Sequence, residues 1–195
     1  MNQYPLEYWE YTRGEQIVEN AISSSRCESL IELASNFPSE EATITSDRKV
    51  DEDHRITEVT WLPWPNIDHR TEWIYDTVQQ GAIDINNEAF HFDIRGIGEK
   101  IQFTRYQKDG HYDWHTDHGN GSMSIRKFSM TLQLNKPHEY DGGELVFKDG
   151  RDDRAYKPGQ GTAVWFPSWM LHKVNPVTKG ERNSLVVWIT GRPFR

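Results

Sequence analysis

The second half of the chain, from Phe92 onward, consists of short segments in which apolar and polar residues alternate. The clearest one runs from Phe128 to Asn135, where every second residue is apolar. A period of two places successive side chains on opposite faces of a β-strand. Further strands are predicted between turns that contain glycine or proline, at Ile101–Phe103, Glu144–Phe147, Thr162–Phe166 and Leu185–Thr190. Many short strands without helical spacers favour antiparallel sheets closed into a sandwich or jelly roll.

The first half of the chain is predicted to be helical. One helix is expected over Glu15–Phe37, with a break near Ser23–Ser25, and another over Ile67–Gln80. The charged segment Pro38–Arg55 between them is interpreted as a surface loop. The predicted inner faces are Cys27, Leu30, Ile31, Ala34 and Phe37 on the first helix, and Trp73, Ile74, Thr77 and Val78 on the second.

These patterns predict a mainly β fold with N-terminal helices, of the α+β class. We expect one domain over residues 1–195, with a helical support region at 1–90 and a jelly-roll core at 91–195. A sharp turn is also expected at Asp141–Glu144, where two glycines favour a β-hairpin.

Charge and cysteine content restrict the function. The chain has 22 basic and 30 acidic residues, a net charge of −8, which disfavours a nucleic-acid partner because such proteins usually carry a basic excess. No apolar run reaches the roughly 20 residues needed to cross a bilayer, and the start of the chain lacks the pattern of a signal peptide. Cys27 is the only cysteine, so thiolate metal clusters are excluded. A cytoplasmic protein without a membrane partner is expected.

A His-x-Asp pair suggests a metal site. His115 and Asp117 are two positions apart, and on a strand residues i and i+2 point to the same side. A third ligand candidate is His172, which follows the apolar strand that ends at Phe166. Two histidines and one carboxylate leave positions open on a metal and suit non-haem Fe(II).

Arg182 is predicted to be a buried cation. It shares one strand face with Ser184, Val186 and Trp188, while the opposite face is apolar. A buried guanidinium needs an anionic partner, and its planar fork suits a carboxylate.

These four residues and their surroundings resemble the Fe(II)/2-oxoglutarate-dependent dioxygenases. Within them the chain is similar to the prolyl 4-hydroxylase-like branch, especially the bacterial PKHD-type hydroxylases. The resemblance extends from about residue 100 to residue 191, and rests on His115-x-Asp117, His172, Arg182 and the flanking segments Phe103–Tyr106, Tyr140–Leu145 and His172–Arg182.

The resemblance implies a role for each site residue. His115, Asp117 and His172 would bind Fe(II), while Arg182 would hold the distal carboxylate of 2-oxoglutarate. The remaining positions implied by the resemblance are Tyr106, Gln133 and Ser129 at the co-substrate, Tyr112 near the iron, and Trp188 near the substrate. Gln133 stands where some relatives have a tyrosine.

The resemblance also implies the reaction. O₂ and 2-oxoglutarate would be consumed, succinate and CO₂ released, and a substrate C–H bond hydroxylated, with ascorbate as a candidate reductant. The expected substrate is a peptidyl proline. Hydroxylation is favoured over halogenation because halogenating relatives lack the carboxylate that Asp117 provides.

Other interpretations remain open from the sequence. A 2-oxoglutarate oxygenase could act on a free small molecule or a nucleobase, and a jelly roll could serve as a non-catalytic binding module. A zinc site could form from His118 and His111, although it would leave His172 and Arg182 unexplained. Arg126 is interpreted as a solvated charge.

Overall fold

The computed structural model describes residues 14–42, 54–150 and 152–193. The α-helices are α1 (Ser24–Ala34) and α2 (Glu72–Ile85), with 3-10 turns at His69–Thr71 and Gly121–Ile125 and a π-helical turn at Asn86–Phe90. The strands are β1 (Gln16–Val18), β2 (Ser39–Glu41), β3 (Arg55–Ile56), β4 (Glu58–Trp61), β5 (Ile94–Ile97), β6 (Gln102–Tyr106), β7 (His111–His115), β8 (Arg126–Gln133), β9 (Tyr140–Gly142), β10 (Leu145–Asp149), β11 (Asp152–Tyr156), β12 (Ala163–Pro167), β13 (His172–Val174), β14 (Val177–Gly180) and β15 (Arg182–Gly191).

Two antiparallel sheets make up most of the structure. The major sheet has the order β1-β12-β8-β15-β6-β4-β2, with β5 paired to the end of β15. The minor sheet has the order β11-β10-β13-β7-β3, and β9 and β14 form a separate pair. The expected mainly β architecture is therefore confirmed.

The two faces of the major sheet differ in chemistry, and this difference positions the site. Leu185, Val187 and Ile189 of β15 pack in one apolar core together with residues of α1 and α2. Successive residues alternate between faces, so Arg182 and Ser184 lie on the opposite face. Both faces of the major sheet are buried, and its polar side chains are concentrated on the face away from the helices.

The helices begin later than the sequence predicts. Residues of the first predicted helix form β1, which pairs with β12, and α1 begins only after Ser23, whose side chain accepts a hydrogen bond from the Arg26 backbone N–H. Ser23 thus acts as the helix N-cap, which explains the break. The expected buried stripe of α1 is present, with Cys27 and Leu30 fully buried.

The second helix is displaced by five residues from its predicted range. Asp68 caps the 3-10 turn that precedes it by accepting a hydrogen bond from the Arg70 N–H. Thr77 is exposed, contrary to the prediction, whereas Tyr75 is buried. The Tyr75 hydroxyl donates to the carbonyl of Leu62 at 3.0 Å, so it needs no contact with solvent.

The predicted loop Pro38–Arg55 carries strands at both ends. Its first part contains β2, which pairs with β4, and its last residue belongs to β3, which pairs with β7. Residues 43–53 lie outside the described residues. N-terminal segments thus extend both sheets, which differs from a purely helical support.

The predicted hairpin at Asp141–Glu144 is wrong. β9 pairs with β14, whereas β10 pairs with β11 and β13, so this segment passes from one pair of strands to the minor sheet. The expected backbone freedom is nevertheless used, because Gly142 and Gly143 have φ of +73° and +66°. A Cβ atom on Gly142 would overlap the carbonyl oxygen of Pro176.

Within the described residues, no helix combines the length and the apolar character needed to span a membrane.

Candidate metal centre

The two predicted histidine ligands face each other on paired strands. His115 at the end of β7 and His172 at the start of β13 are register partners, and their ring centroids are 4.1 Å apart. Asp117 lies just beyond β7, with carboxylate oxygens 3.8 Å from His115 Nε2 and 3.7 Å from His172 Nε2. One candidate ligand atom from each residue lies within 4.8 Å of the others, which is close enough for one metal ion to contact all three.

Both imidazoles are oriented by backbone carbonyls. The carbonyl of Asp113 lies 2.7 Å from His115 Nδ1, and that of Met170 lies 2.9 Å from His172 Nδ1. A carbonyl can only accept, so each Nδ1 carries a hydrogen, and in the neutral ring Nε2 keeps its lone pair. This arrangement fixes the tautomer that binds metals through Nε2.

The electrostatics of the three side chains suit a bound cation. Burial and the neighbouring His172 ring lower the pKa of His115, so its imidazole is neutral near pH 7. Burial by itself would raise the pKa of Asp117, but the two imidazoles and a hydrogen bond from Ser129 outweigh it, and the pKa is lowered. The Asp117 Oδ2 atom is buried without a hydrogen-bond partner. A neutral His115 imidazole and an ionised Asp117 carboxylate fit Fe(II).

The alternative zinc site is not formed. Among the residues that the structure describes, His115, Asp117 and His172 are the only group of three candidate ligands with atoms this close. His111 and His118 are not part of it.

Arg182, the predicted buried cation, is 1% exposed and has no salt bridge with any described residue. Its Nη1 donates to Ser184 Oγ at 3.1 Å, while Nε and Nη2 are buried without a hydrogen-bond partner. Tyr106 is its register partner across β6 and β15, and the ring centroid of Tyr106 lies 5.4 Å from the guanidinium carbon. A buried cation with free donors fits a carboxylate from outside the chain.

Other polar groups lie around this guanidinium. Gln133 is register partner to Ser184, is fully buried, and leaves both side-chain amide atoms without a partner. Burial raises the pKa of Tyr140, although the charge of Arg182 opposes the shift, so the hydroxyl remains protonated. The Arg182 nitrogens and the Gln133 amide nitrogen thus leave hydrogen-bond donors at this end of the site that a carboxylate could accept from.

Ser129 lies away from Arg182 along the strand. It is the register partner of Trp188, whereas Gln133 pairs with Ser184 near Arg182. Four positions along a strand correspond to about 13 Å. The Ser129 hydroxyl instead lies 3.0 Å from Ser168 Oγ and hydrogen-bonds Asp117, so it supports the metal end of the site. The structure therefore does not bring Ser129 next to Arg182, and its predicted role at the distal carboxylate stays a prediction.

A cavity of about 240 Å³ opens over the three converging residues. Tyr106 and Trp188, predicted near the co-substrate and the substrate, both line it. Tyr112 also lines it, with its ring stacked on His115 at 3.5 Å between centroids. Burial raises the pKa of Tyr112 to about 12, so its hydroxyl remains a hydrogen-bond donor.

Sequence reasoning missed two arginines of this cavity, Arg55 and Arg126. The side chain of Arg126 is only 11% exposed, so its interpretation as a solvated charge is wrong. It binds both carboxylate oxygens of Glu99 at 2.7 Å, donates to the Asp117 carbonyl at 3.1 Å, and stacks on Trp188. No sequence signal separates such an arginine from a surface one, because its burial depends on tertiary contacts.

Comparisons with known proteins agree with this geometry. A family model described as the 2OG-Fe(II) oxygenase superfamily matches residues 101–190, which include the three converging residues and Arg182. Residues 101–190 are thus similar to the 2OG-Fe(II) oxygenase superfamily. A PKHD-type hydroxylase of Idiomarina loihiensis is 37% identical to the chain over 90 residues, which are 46% of this chain and 41% of that relative. The chain thus matches about two fifths of the relative's length.

Two solved structures resemble the fold of almost the whole chain, including the part before residue 101. A prolyl-4-hydroxylase of Pseudomonas putida has a TM-score of 0.73 at 21% identity, covering 93% of this chain and 94% of its own. A prolyl hydroxylase of Trichoplax adhaerens, in complex with a peptide fragment, has a TM-score of 0.75 at 18% identity, covering 92% and 84%. The predicted double-stranded β-helix is confirmed by this likeness.

Proposed function

We propose that the protein is an Fe(II)- and 2-oxoglutarate-dependent dioxygenase that hydroxylates a C–H bond of a peptidyl proline and releases succinate and CO₂. The observation that supports it most is the convergence of His115, Asp117 and His172 in a cavity that also contains Tyr106, the residue that contacts Arg182. The Trichoplax structure, which holds a peptide, supports a peptide rather than a free small molecule as substrate.

Each residue has a defined task in this proposal. His115, Asp117 and His172 would each occupy one coordination position of the metal and leave the remaining positions open for ligands. Arg182 binds the distal carboxylate of 2-oxoglutarate, assisted by Gln133. When bound, Fe(II) and 2-oxoglutarate together supply the oxidising chemistry for O₂ activation, which no side chain provides.

The protein contributes orientation and a shielded cavity. Ser184 and Thr104 keep Arg182 in place, since their hydroxyls lie 2.7 Å apart and Ser184 accepts from the guanidinium. Tyr112 and Trp188 form walls of the cavity above the metal ligands and exclude water from part of it. Ascorbate acts in this proposal only as an external reductant.

Anaerobic titration with Fe(II) and 2-oxoglutarate tests the proposal. We expect the weak absorption band of the iron–2-oxoglutarate chelate in the wild-type protein. Arg182→Ala should weaken the binding of 2-oxoglutarate by roughly tenfold to a hundredfold, since a hydrogen-bonded charge pair is lost. Arg105→Ala is the matched control, because Arg105 is partly exposed and is paired with Glu58 and Glu181.

The substrate is tested separately, by incubation of proline-containing peptides with the loaded enzyme and detection of added oxygen by mass spectrometry. Absence of a chelate band in folded, iron-loaded protein would refute the dioxygenase and favour a binding module. A band with no oxygenated peptide would refute only the peptidyl-proline substrate.

A further inference from the structure

Arg55 lines both the cavity of the metal centre and the neighbouring cleft, and is not used by the proposed reaction. It lies on β3, the edge strand of the minor sheet, and is the register partner of Tyr112 on β7. Its guanidinium carbon lies 4.4 Å from the centroid of the Tyr112 ring, and that ring is stacked in turn on His115. A positive charge is therefore placed one aromatic ring away from a candidate metal ligand.

The guanidinium is held in place, and no carboxylate of the described residues neutralises it. Arg55 is 8% exposed, and its Nη2 donates to Gln102 Oε1 at 3.2 Å. The Nε atom is buried without a hydrogen-bond partner. No acidic side chain in the described part of the chain forms a salt bridge with Arg55, whereas Arg126 in the same cavity is paired with Glu99 and Arg105 outside it with two glutamates.

A buried guanidinium is costly for a fold unless an anion balances it, and since no described carboxylate pairs with Arg55, the geometry favours a charge supplied by a ligand. Among the described residues that line the cavity, Asp117 is the only acidic one, and it belongs to the metal centre. In the proposed function the co-substrate carboxylate is bound by Arg182, on the opposite sheet. Arg55 is therefore available for the substrate.

We infer that Arg55 binds a carboxylate of the substrate and so places the reacting C–H bond over the metal. The planar fork of a guanidinium matches a carboxylate, and one free arginine balances one such charge, whereas a phosphate carries nearly two. This inference rests on the proposed function and specifies its substrate class. The carboxylate belongs either to a chain terminus or to an acidic side chain beside the proline.

Calorimetric titration of the full-length protein, loaded with Mn²⁺ and 2-oxoglutarate without O₂, tests the inference by binding alone. N-acetylproline and N-acetylprolinamide differ only in the carboxylate, and we expect the acid to bind roughly tenfold to a hundredfold more tightly. The pair N-acetyl-Pro-Glu-amide and N-acetyl-Pro-Gln-amide tests a side-chain carboxylate in the same way. A preference in the first pair identifies a terminal carboxylate, and a preference in the second identifies an acidic neighbour.

The variant Arg55→Gln should remove this preference, and Arg55→Lys should retain part of it. Arg105→Gln is the matched control and should keep the wild-type preference, because that arginine faces the neighbouring cleft and not the metal cavity. The wild-type comparison of acid with amide remains decisive even if a variant does not fold. Equal binding within both pairs, or no saturable binding of either acid, would overturn the inference.

A titration with 2-oxoglutarate separates this inference from the proposed function. Arg55→Gln should bind 2-oxoglutarate as the wild type does, and a loss of that binding would assign Arg55 to the co-substrate and overturn the inference. Wild-type protein that binds metal and 2-oxoglutarate but does not distinguish acid from amide would refute the inference alone. Failure of the wild type to bind 2-oxoglutarate would refute both.

Discussion

At the scale of single residues, the site depends on buried polar groups that no described residue satisfies. The Asp117 Oδ2 atom, two nitrogens of Arg182 and both amide atoms of Gln133 lack partners. Native proteins contain few such atoms, and here they lie on the buried polar face between the sheets. Their concentration is expected of a site that gains its missing partners from a metal and an anionic ligand.

The variant Asp117→Asn tests the metal end of the site. It removes the only carboxylate that faces both imidazoles, so metal affinity should fall by more than the roughly 10- to 100-fold loss typical of a supporting partner. Titration with Mn²⁺ followed by equilibrium dialysis measures the change. Asp113→Asn is the matched control, because Asp113 is exposed and positions His115 through its backbone carbonyl, which the substitution retains. Unchanged metal binding by Asp117→Asn would remove this residue from the centre.

At the scale of elements, the link between β9 and β10 packs against the side chain of Arg182. A Cβ atom on Gly143 would lie 3.0 Å from Arg182 Cδ and 3.2 Å from Tyr140 Cε2, at φ +66°. The variant Gly143→Ala should lower the free energy of unfolding by at least the roughly 1–2 kcal/mol cost of a left-handed backbone, and should weaken 2-oxoglutarate binding because Arg182 must shift.

The variant Gly150→Ala separates the loss of stability in Gly143→Ala from its effect on 2-oxoglutarate binding. Gly150 has φ +63°, yet a Cβ atom there would meet nothing within 4 Å. Urea unfolding of both variants should therefore show a backbone cost in each, and only Gly143→Ala should weaken 2-oxoglutarate binding. Equal affinity for 2-oxoglutarate in the two variants would contradict the proposed contact with Arg182.

The elements also show which features a sequence can reveal. The strict alternation in β8 predicted both the strand and its faces, because a period of two is a local property. The strands β2 and β3 are two or three residues long and charged, so they have no comparable pattern. The two glycines after Asp141 predicted positive φ but not the pairing partner, which is β14, some 35 residues further along.

The sequence predicted the candidate site only in part, as it did the strands. His115, Asp117, His172 and Arg182 carry a recognisable spacing, and the paired strands bring the first three together as predicted. Arg55 and Arg126 have no such spacing, since each reaches the cavity through contacts between distant strands. Ser129 lies away from Arg182 because the register of β8 against β15, not the local pattern, decides which residue lies opposite Arg182.

At the scale of the whole molecule, the candidate site is made of residues from both sheets. The metal-facing histidines belong to the minor sheet, on β7 and β13, whereas Arg182 and Tyr106 belong to the major sheet, on β15 and β6. A metal alone contacts only the first group in the proposed arrangement. A co-substrate that chelates the metal and reaches Arg182 connects both, so the two ligands should stabilise the fold in separate steps.

Thermal unfolding should reveal these steps. Binding of a ligand at a hundredfold excess over its Kd stabilises the folded state by about 2.7 kcal/mol, which corresponds to a rise in Tm of roughly 5–10 °C for a chain of this size. We expect Mn²⁺ to raise the Tm of the wild type and 2-oxoglutarate to raise it again, but only when the metal is present. Arg182→Ala should keep the first rise and lose about half of the second or more, and Asp117→Asn should lose both. A rise with 2-oxoglutarate in metal-free protein, or an undiminished second rise in Arg182→Ala, would show that the co-substrate does not bridge the two sheets in this way.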